Sequence, residues 1–192
     1  MKTRLMGKQR FVNKHPENSL RIRFLRKIFP DAIFIHMIRD GWPTVASNYE
    51  RTLEDPFRTS CPFGQFPKPE GWRSYVHLPL AEQFAHQWVD VIEHIRNDAC
   101  ELLGRDEYIG ISYEEFCERP CEVVARLDDF WGSSAVLACT SRFPTRKSES
   151  EWRNILSPEQ AAAVGMIIPP LNAELGYGDE PAVAMRASQG AR

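Results

Sequence analysis

The sequence predicts an α/β domain with a mostly parallel sheet flanked by helices. Three observations lead there. An apolar run, Ala32 to Ile38, stops abruptly at Arg39-Asp40-Gly41 and gives way to a helical stretch, as a buried strand does when it turns into a helix. Residues 80–103 repeat apolar side chains at helical spacing, among them Phe84, Trp88, Ile92, Ile95 and Ala99. Glu107-Tyr108-Ile109-Gly110-Ile111-Ser112-Tyr113 then reads as a further strand.

Taken in order, residues 1–10 are basic and short of apolar residues. Arg10-Phe11-Val12-Asn13 is expected to form a short strand, broken by Lys14-His15-Pro16. From Glu17 the pattern turns helical, with Leu20, Phe24, Leu25 and Ile28 at spacings of three and four and Asn18 or Ser19 as cap. Phe29-Pro30-Asp31 ends that helix. The first forty residues therefore read strand, helix, strand, a parallel unit with a right-handed crossover.

A helix is expected over about 43–53, with Pro43 in its first turn. The stretch Glu54 to Pro79 is rich in Pro, Gly and aromatics; loops of that length are usually lids or binding loops, and this one is expected to face a substrate. Gly104 is the expected C-cap of the 80–103 helix. Beyond the strand, Glu114-Glu115-Phe116 turns away, and a helix runs from about Pro120 to Trp131 with Val123, Val124 and Leu127 inward. Ser157-Pro158-Glu159-Gln160 opens another helix, Ser157 capping and Gln160 three residues on. Pro169-Pro170 interrupt or end it, and Leu171 to Leu175 resume for a turn. Residues 1–178 make a single domain, and the small, polar residues 179–192 a disordered tail.

Composition narrows the function. The 192 residues are 43% hydrophobic and 26% charged, with a net charge of −2, so a general nucleic-acid binder is excluded and any anion recognition must be local. Five cysteines, Cys61, Cys100, Cys117, Cys121 and Cys139, form no Cys-x-x-Cys pair and read as free thiols in a reducing compartment. No run reaches the length of a membrane span and no apolar leader follows Met1. A cytoplasmic protein without a metal site is expected.

The stretch 29–48 carries the chemistry. A strand ending in a cation, then a tight turn into a helix, makes an anion site, because the first-turn N–H groups have no partners within the helix. Arg39 would add a bidentate charge and Ser47 a hydroxyl, so this turn is read as holding a phosphate. Ligands of parallel sheets bind beyond the C-terminal strand ends. Lys14-His15, Arg39-Asp40 and Tyr113-Glu114 are all expected there. His36, inside the apolar run, is read as a core histidine, and Trp88 as packing.

With this layout the chain resembles the sulfotransferase family, whose members move a sulfonate from 3′-phosphoadenosine 5′-phosphosulfate (PAPS). The resemblance runs from about Phe11 to Tyr177. Phe29 to Gly41 with Ser47 is similar to the family's 3′-phosphate-binding strand and helix. Ile111 to Phe116 resembles its Tyr-Glu-Asp strand end, which implies that Tyr113 lies near the adenine. Ser150 to Ser157 looks like its C-terminal Trp-Lys/Arg segment, and Leu175-Gly176-Tyr177 like its usual end. The implied fold is the P-loop-like sulfotransferase fold. The resemblance also implies His15 as the base that takes the acceptor's proton, and Lys14 as the group that stabilises charge on the bridging oxygen. Arg146-Lys147 resemble an Arg-Lys-Gly element that reaches the 3′-phosphate, although Ser148 replaces Gly and Arg142 is an alternative. The implied acceptor is a hydroxyl or amine on a small molecule, glycan or protein.

One family element has no counterpart in these residues: the Ser-Gly-Thr-Thr loop after the first strand that cradles the 5′-phosphosulfate. The expectation is therefore a sulfotransferase fold without its first strand and phosphate loop, truncated or having lost transfer, with impaired activity and exposed apolar surface beside the sheet. The alternative is a non-catalytic nucleotide- or partner-binding module of the same fold. A phosphoryl-transfer enzyme is disfavoured by the lack of a Gly-rich Lys-Ser/Thr loop.

Overall fold

The computed structural model describes residues 11–56, 67–132 and 152–178. Two strands pair in parallel: β1 (Phe34–Ile38) and β2 (Tyr108–Ser112), with Phe34 opposite Tyr108, His36 opposite Gly110 and Ile38 opposite Ser112. Parallel neighbours need a long crossover. Here it contains α2 (Gly41–Glu54) and α3 (Leu80–Leu102), with a 3₁₀ turn at Trp72–Ser74 between them. Before β1 come a 3₁₀ turn (Pro16–Leu20) and α1 (Ile22–Ile28). After β2 follow α4 (Tyr113–Glu118), α5 (Pro120–Trp131), α6 (Trp152–Ile155), α7 (Pro158–Val164) and α8 (Pro169–Glu174).

Period-two alternation of the strands sends side chains to two faces. Ile38 packs on the larger core, where Trp42, Val45 and Ala46 of α2 meet Phe84, Ala85 and Trp88 of α3. Trp152, Leu156, Val164 and Ile168 close it from the C-terminal helices, and Trp152 stacks on Trp42 with ring centroids 4.5 Å apart. Ile111 points the other way into a smaller cluster with Val123 and Leu127 of α5. Helices thus cover both faces, and the α/β class read from the sequence holds. On β1 the cover is incomplete: Ile35 and Met37 are 40% and 44% exposed. No helix among the described residues is long and apolar enough to cross a membrane.

Several expectations are corrected. Residues 11–13 form no strand, and Phe11 and Val12 are 71% and 77% exposed. A strand requires a neighbour for its N–H and C=O groups, and β1 finds its partner in β2. The strand–helix–strand unit of the first forty residues is therefore absent from the described residues. The helix expected from Glu17 breaks at Arg21, whose φ of −127° is not helical, and the cap is neither Asn18 nor Ser19: the His15 side chain accepts from the Glu17 N–H. The C-cap of α3 is Leu103 in extended conformation rather than Gly104. Glu114-Glu115-Phe116 is not a bare turn but the body of α4, with Ser112 as its cap. Pro169-Pro170 open α8 instead of ending a helix, because proline suits a first turn. The capping box at Ser157 and Gln160 forms with both of its hydrogen bonds.

Candidate functional site

At the C-terminal end of β1 the chain meets the end of β2 and the C-terminal helix α8. All three meet in a polar network. Asp40 is the N-cap of α2, and its carboxylate accepts from the Trp42 N–H at 3.0 Å. The Asp40 N–H donates to Glu114 Oε1 at 3.2 Å. Glu114 Oε2 accepts from the Ser112 hydroxyl at 3.0 Å and from the Tyr177 hydroxyl at 2.9 Å. Asn172, fully buried on α8, takes the Gly41 N–H on Oδ1 at 3.1 Å and gives an Nδ2 hydrogen to Asp40 Oδ1 at 3.0 Å.

The same contacts correct the first reading of this turn. Its amides were expected to be open to an anion. Instead the N–H groups of Asp40, Gly41 and Trp42 go to Glu114, Asn172 and Asp40, Pro43 has none, and that of Thr44 goes to the Asp40 carbonyl. An anion at this helix end is left with side chains as its partners. Gly41 is required by the packing: a Cβ there would lie 2.7 Å from Ile168 Cγ2.

Arg39 and Tyr113, paired by expectation only through their strand ends, do come together. The Arg39 guanidinium lies over the Tyr113 ring, 4.7 Å from its centroid, a cation–π contact that fixes the plane of the charge. The Arg39 carbonyl accepts from the indole N–H of Trp88 at 3.3 Å, so Trp88 does more than pack. Both Arg39 and Tyr113 are half-buried. Ser47 is half-buried too. It stands two turns into α2, about 9 Å along the axis from Gly41, on the flank away from the Trp42 and Ala46 face.

Lys14 and His15 make no direct bond to this cluster. Both are exposed, and no hydrogen bond or ion pair joins either to the Arg39, Asp40 or Glu114 side chains. His15 Nδ1 accepts from the Glu17 N–H at 3.3 Å, which puts the proton of the neutral ring on Nε2. Its basic lone pair is thereby occupied by the cap. Arg142, Arg146 and Lys147 lie outside the described residues.

Burial sets the electrostatics. His36, whose Nδ1 is 2.8 Å from the Tyr108 hydroxyl, is lowered to about 4 by loss of water, in keeping with a core histidine. The Tyr177 hydroxyl is raised well above the ordinary range, by burial first and then by Glu114 and Asp40. It is therefore a hydrogen-bond donor throughout the physiological range. Glu114 emerges as the hub joining both strand ends, not as half of a paired acid and base. Asn172 escaped sequence reading entirely, since nothing local distinguishes it from any polar residue on a short helix.

A two-faced α/β protein whose polar side chains converge where parallel strands give way to helices is of the kind that takes its ligand there. The particular family follows from the sequence comparison: the model of the sulfotransferase family matches residues 2–135, and the chain belongs to that family. Among solved structures, a sulfotransferase from Alicyclobacillus acidocaldarius is similar, with a TM-score of 0.46 and 20% identity over 82% of this chain and 60% of that one. The chain therefore spans less than two thirds of that protein's length. No curated protein matches it.

Proposed function

We propose that this chain binds the 3′-phosphoadenosine end of PAPS at the β1 and β2 strand ends and serves, with impaired activity, transfer of the sulfonate to a hydroxyl or amine acceptor on a small molecule, glycan or protein. The observation that carries the proposal is the Arg39 guanidinium held over Tyr113 beside the N-terminus of α2, within a chain of the sulfotransferase family.

The chemistry of the donor set supports this reading. Arg39 is a permanent, planar cation suited to two hydrogen bonds with a phosphate, and its orientation is set before the ligand arrives. Ser47 would add a hydroxyl donor from α2, and Tyr113 an aromatic edge for the base. Arg146 and Lys147 would bring further positive charge. When bound, PAPS supplies the activated sulfonate; the chain supplies orientation and proton handling. Lys14 would steady the charge that develops on the bridging oxygen. His15 would take the acceptor's proton on Nδ1 after leaving its cap, which costs roughly 0.5–1.5 kcal/mol for one net hydrogen bond.

A second reading has an observation of its own. Lys14 and His15 are exposed and have no hydrogen bond to the Arg39 cluster, and His15 is engaged in capping, as suits a module that binds nucleotide without transfer. Titration with 3′,5′-adenosine bisphosphate, followed by calorimetry, tests the binding common to both readings. Arg39→Ala is expected to weaken it about tenfold to a hundredfold, the loss of a charge-assisted contact. Absence of binding by the unaltered chain would overturn both readings. PAPS-dependent labelling of an acceptor, lost in His15→Ala, then separates transfer from binding alone.

A further inference from the structure

We infer that Tyr177 and Asn172 are positioning residues for Arg39, so that the last described segment of the chain sets the affinity of the phosphate site; this rests on the nucleotide reading above. The backbone around Arg39 is held at separate points. Its carbonyl takes the Trp88 indole N–H, and the next amide, that of Asp40, goes to Glu114. Glu114 in turn is held by the Tyr177 hydroxyl, whose single proton faces Glu114 Oε2 at 2.9 Å and the Ile38 carbonyl at 3.2 Å. The latter carbonyl immediately precedes Arg39.

Asn172 works on the other side of the turn. It bonds the Gly41 amide and the Asp40 carboxylate together, from 131 and 132 residues downstream. It is fully buried and uses both ends of its amide, so it can be rotated or removed only by freeing the buried Gly41 N–H and a contact of the half-buried Asp40 carboxylate. Neither residue need touch the ligand. Their effect is to fix the peptide that carries Arg39 and to keep Glu114, the residue after Tyr113, beside it. Without the clasp, the turns that bear Arg39 and the Tyr113 ring beneath it are tied only by the strand pairing and the Asp40 N–H to Glu114 bond, and more of the ordering cost falls on the ligand.

The sequence of the clasp follows from its geometry. Gly176, at φ +84°, reverses the chain after α8, and the Tyr177 N–H returns to the Asn172 carbonyl at 2.9 Å. The two residues therefore move as one unit, locked to each other as well as to the turn.

The test compares 3′,5′-adenosine bisphosphate with adenosine 5′-phosphate on the full chain. The two ligands differ only in the phosphate assigned to Arg39. In Tyr177→Phe the ratio of their affinities is expected to fall about fivefold to tenfold. A merely structural loss would weaken both ligands alike and leave the ratio unchanged, which would overturn the inference. Amide exchange of the unaltered chain gives a measurement that needs no variant: bisphosphate is expected to slow exchange at Asp40 and Gly41, because coupling is reciprocal. Exchange there that ignores the ligand would also overturn it. If the unaltered chain binds neither nucleotide, the nucleotide reading falls and this inference with it; binding with an unaltered ratio in Tyr177→Phe removes this inference alone.

Discussion

Stability between pH 7.5 and pH 5 should hinge on His36. The residue sits on β1 with its Nδ1 2.8 Å from the Tyr108 hydroxyl, and loss of water lowers it to about 4, against about 6.5 for a histidine in an unfolded chain. As the pH falls through that window, the unfolded chain takes up a proton that the folded chain refuses. Stability is thus full above about pH 6.5, declines towards pH 4 and is level below it as far as this group is concerned. With those two values the loss between pH 7.5 and pH 5 is about 2 kcal/mol. Paired carboxylates such as Glu101 and Glu107, which arginine or backbone donors hold below their usual range, add their own losses only at lower pH. Urea denaturation of the wild-type chain and of His36→Gln at both pH values isolates the effect. Glutamine keeps a hydrogen-bonding group but does not titrate, so its unfolding free energy should change about 2 kcal/mol less across the window. Parallel profiles for the two proteins would refute the argument.

Gly41→Ala should destabilise the fold by about 1–3 kcal/mol, the usual range for overpacking, because its Cβ would stand 2.7 Å from Ile168 Cγ2 and 3.2 Å from Trp88 Cε3; thermal unfolding measures this, and an unchanged midpoint would mean that Ile168 moves freely. Arg39→Lys should bind 3′,5′-adenosine bisphosphate almost as weakly as Arg39→Ala, since an ammonium has neither the planar fork nor the flat face that rests on Tyr113. Near-wild-type affinity in that variant, measured by calorimetry, would show that charge alone suffices.

What was legible in the sequence was whatever local pattern determines. The apolar run at 32–38 became β1, the long amphipathic stretch became α3, and Ser157 with Gln160 made the capping box. The misread elements depended on distant partners. Phe11-Val12-Asn13 has strand-like composition, yet β1 pairs with β2, some 70 residues on, and gives residues 11–13 no ladder to join. His15, which the family resemblance implies as a base, also caps the 3₁₀ turn that Pro16 opens, a local contact two residues long. Arg39 and Tyr113 were legible singly because each directly follows a strand. Their contact was not, since it requires the two strand ends to be adjacent. Asn172 was invisible for the same reason in stronger form: its two bonds reach more than a hundred residues back.

The turn at Arg39-Asp40-Gly41 was first read as an anion site through its backbone amides. That mode of recognition depends on donors that nothing else satisfies. Here Asp40, Glu114 and Asn172 already satisfy them, and two of these groups are carboxylates. Their negative charge lies at the positive end of α2, where it stabilises the helix and opposes a second anion in the same place. On the proposed nucleotide reading, a phosphate at this end of the sheet would sit to the Arg39 side of the turn, with the guanidinium as its principal partner. Affinity then rests on how rigidly one side chain is presented. The contacts to Trp88, Tyr113 and Glu114 all act on that presentation, and the Tyr177 hydroxyl acts on it through Glu114. On that inference the network is the support for the cation, and the N-terminus of α2 is one of the parts being supported.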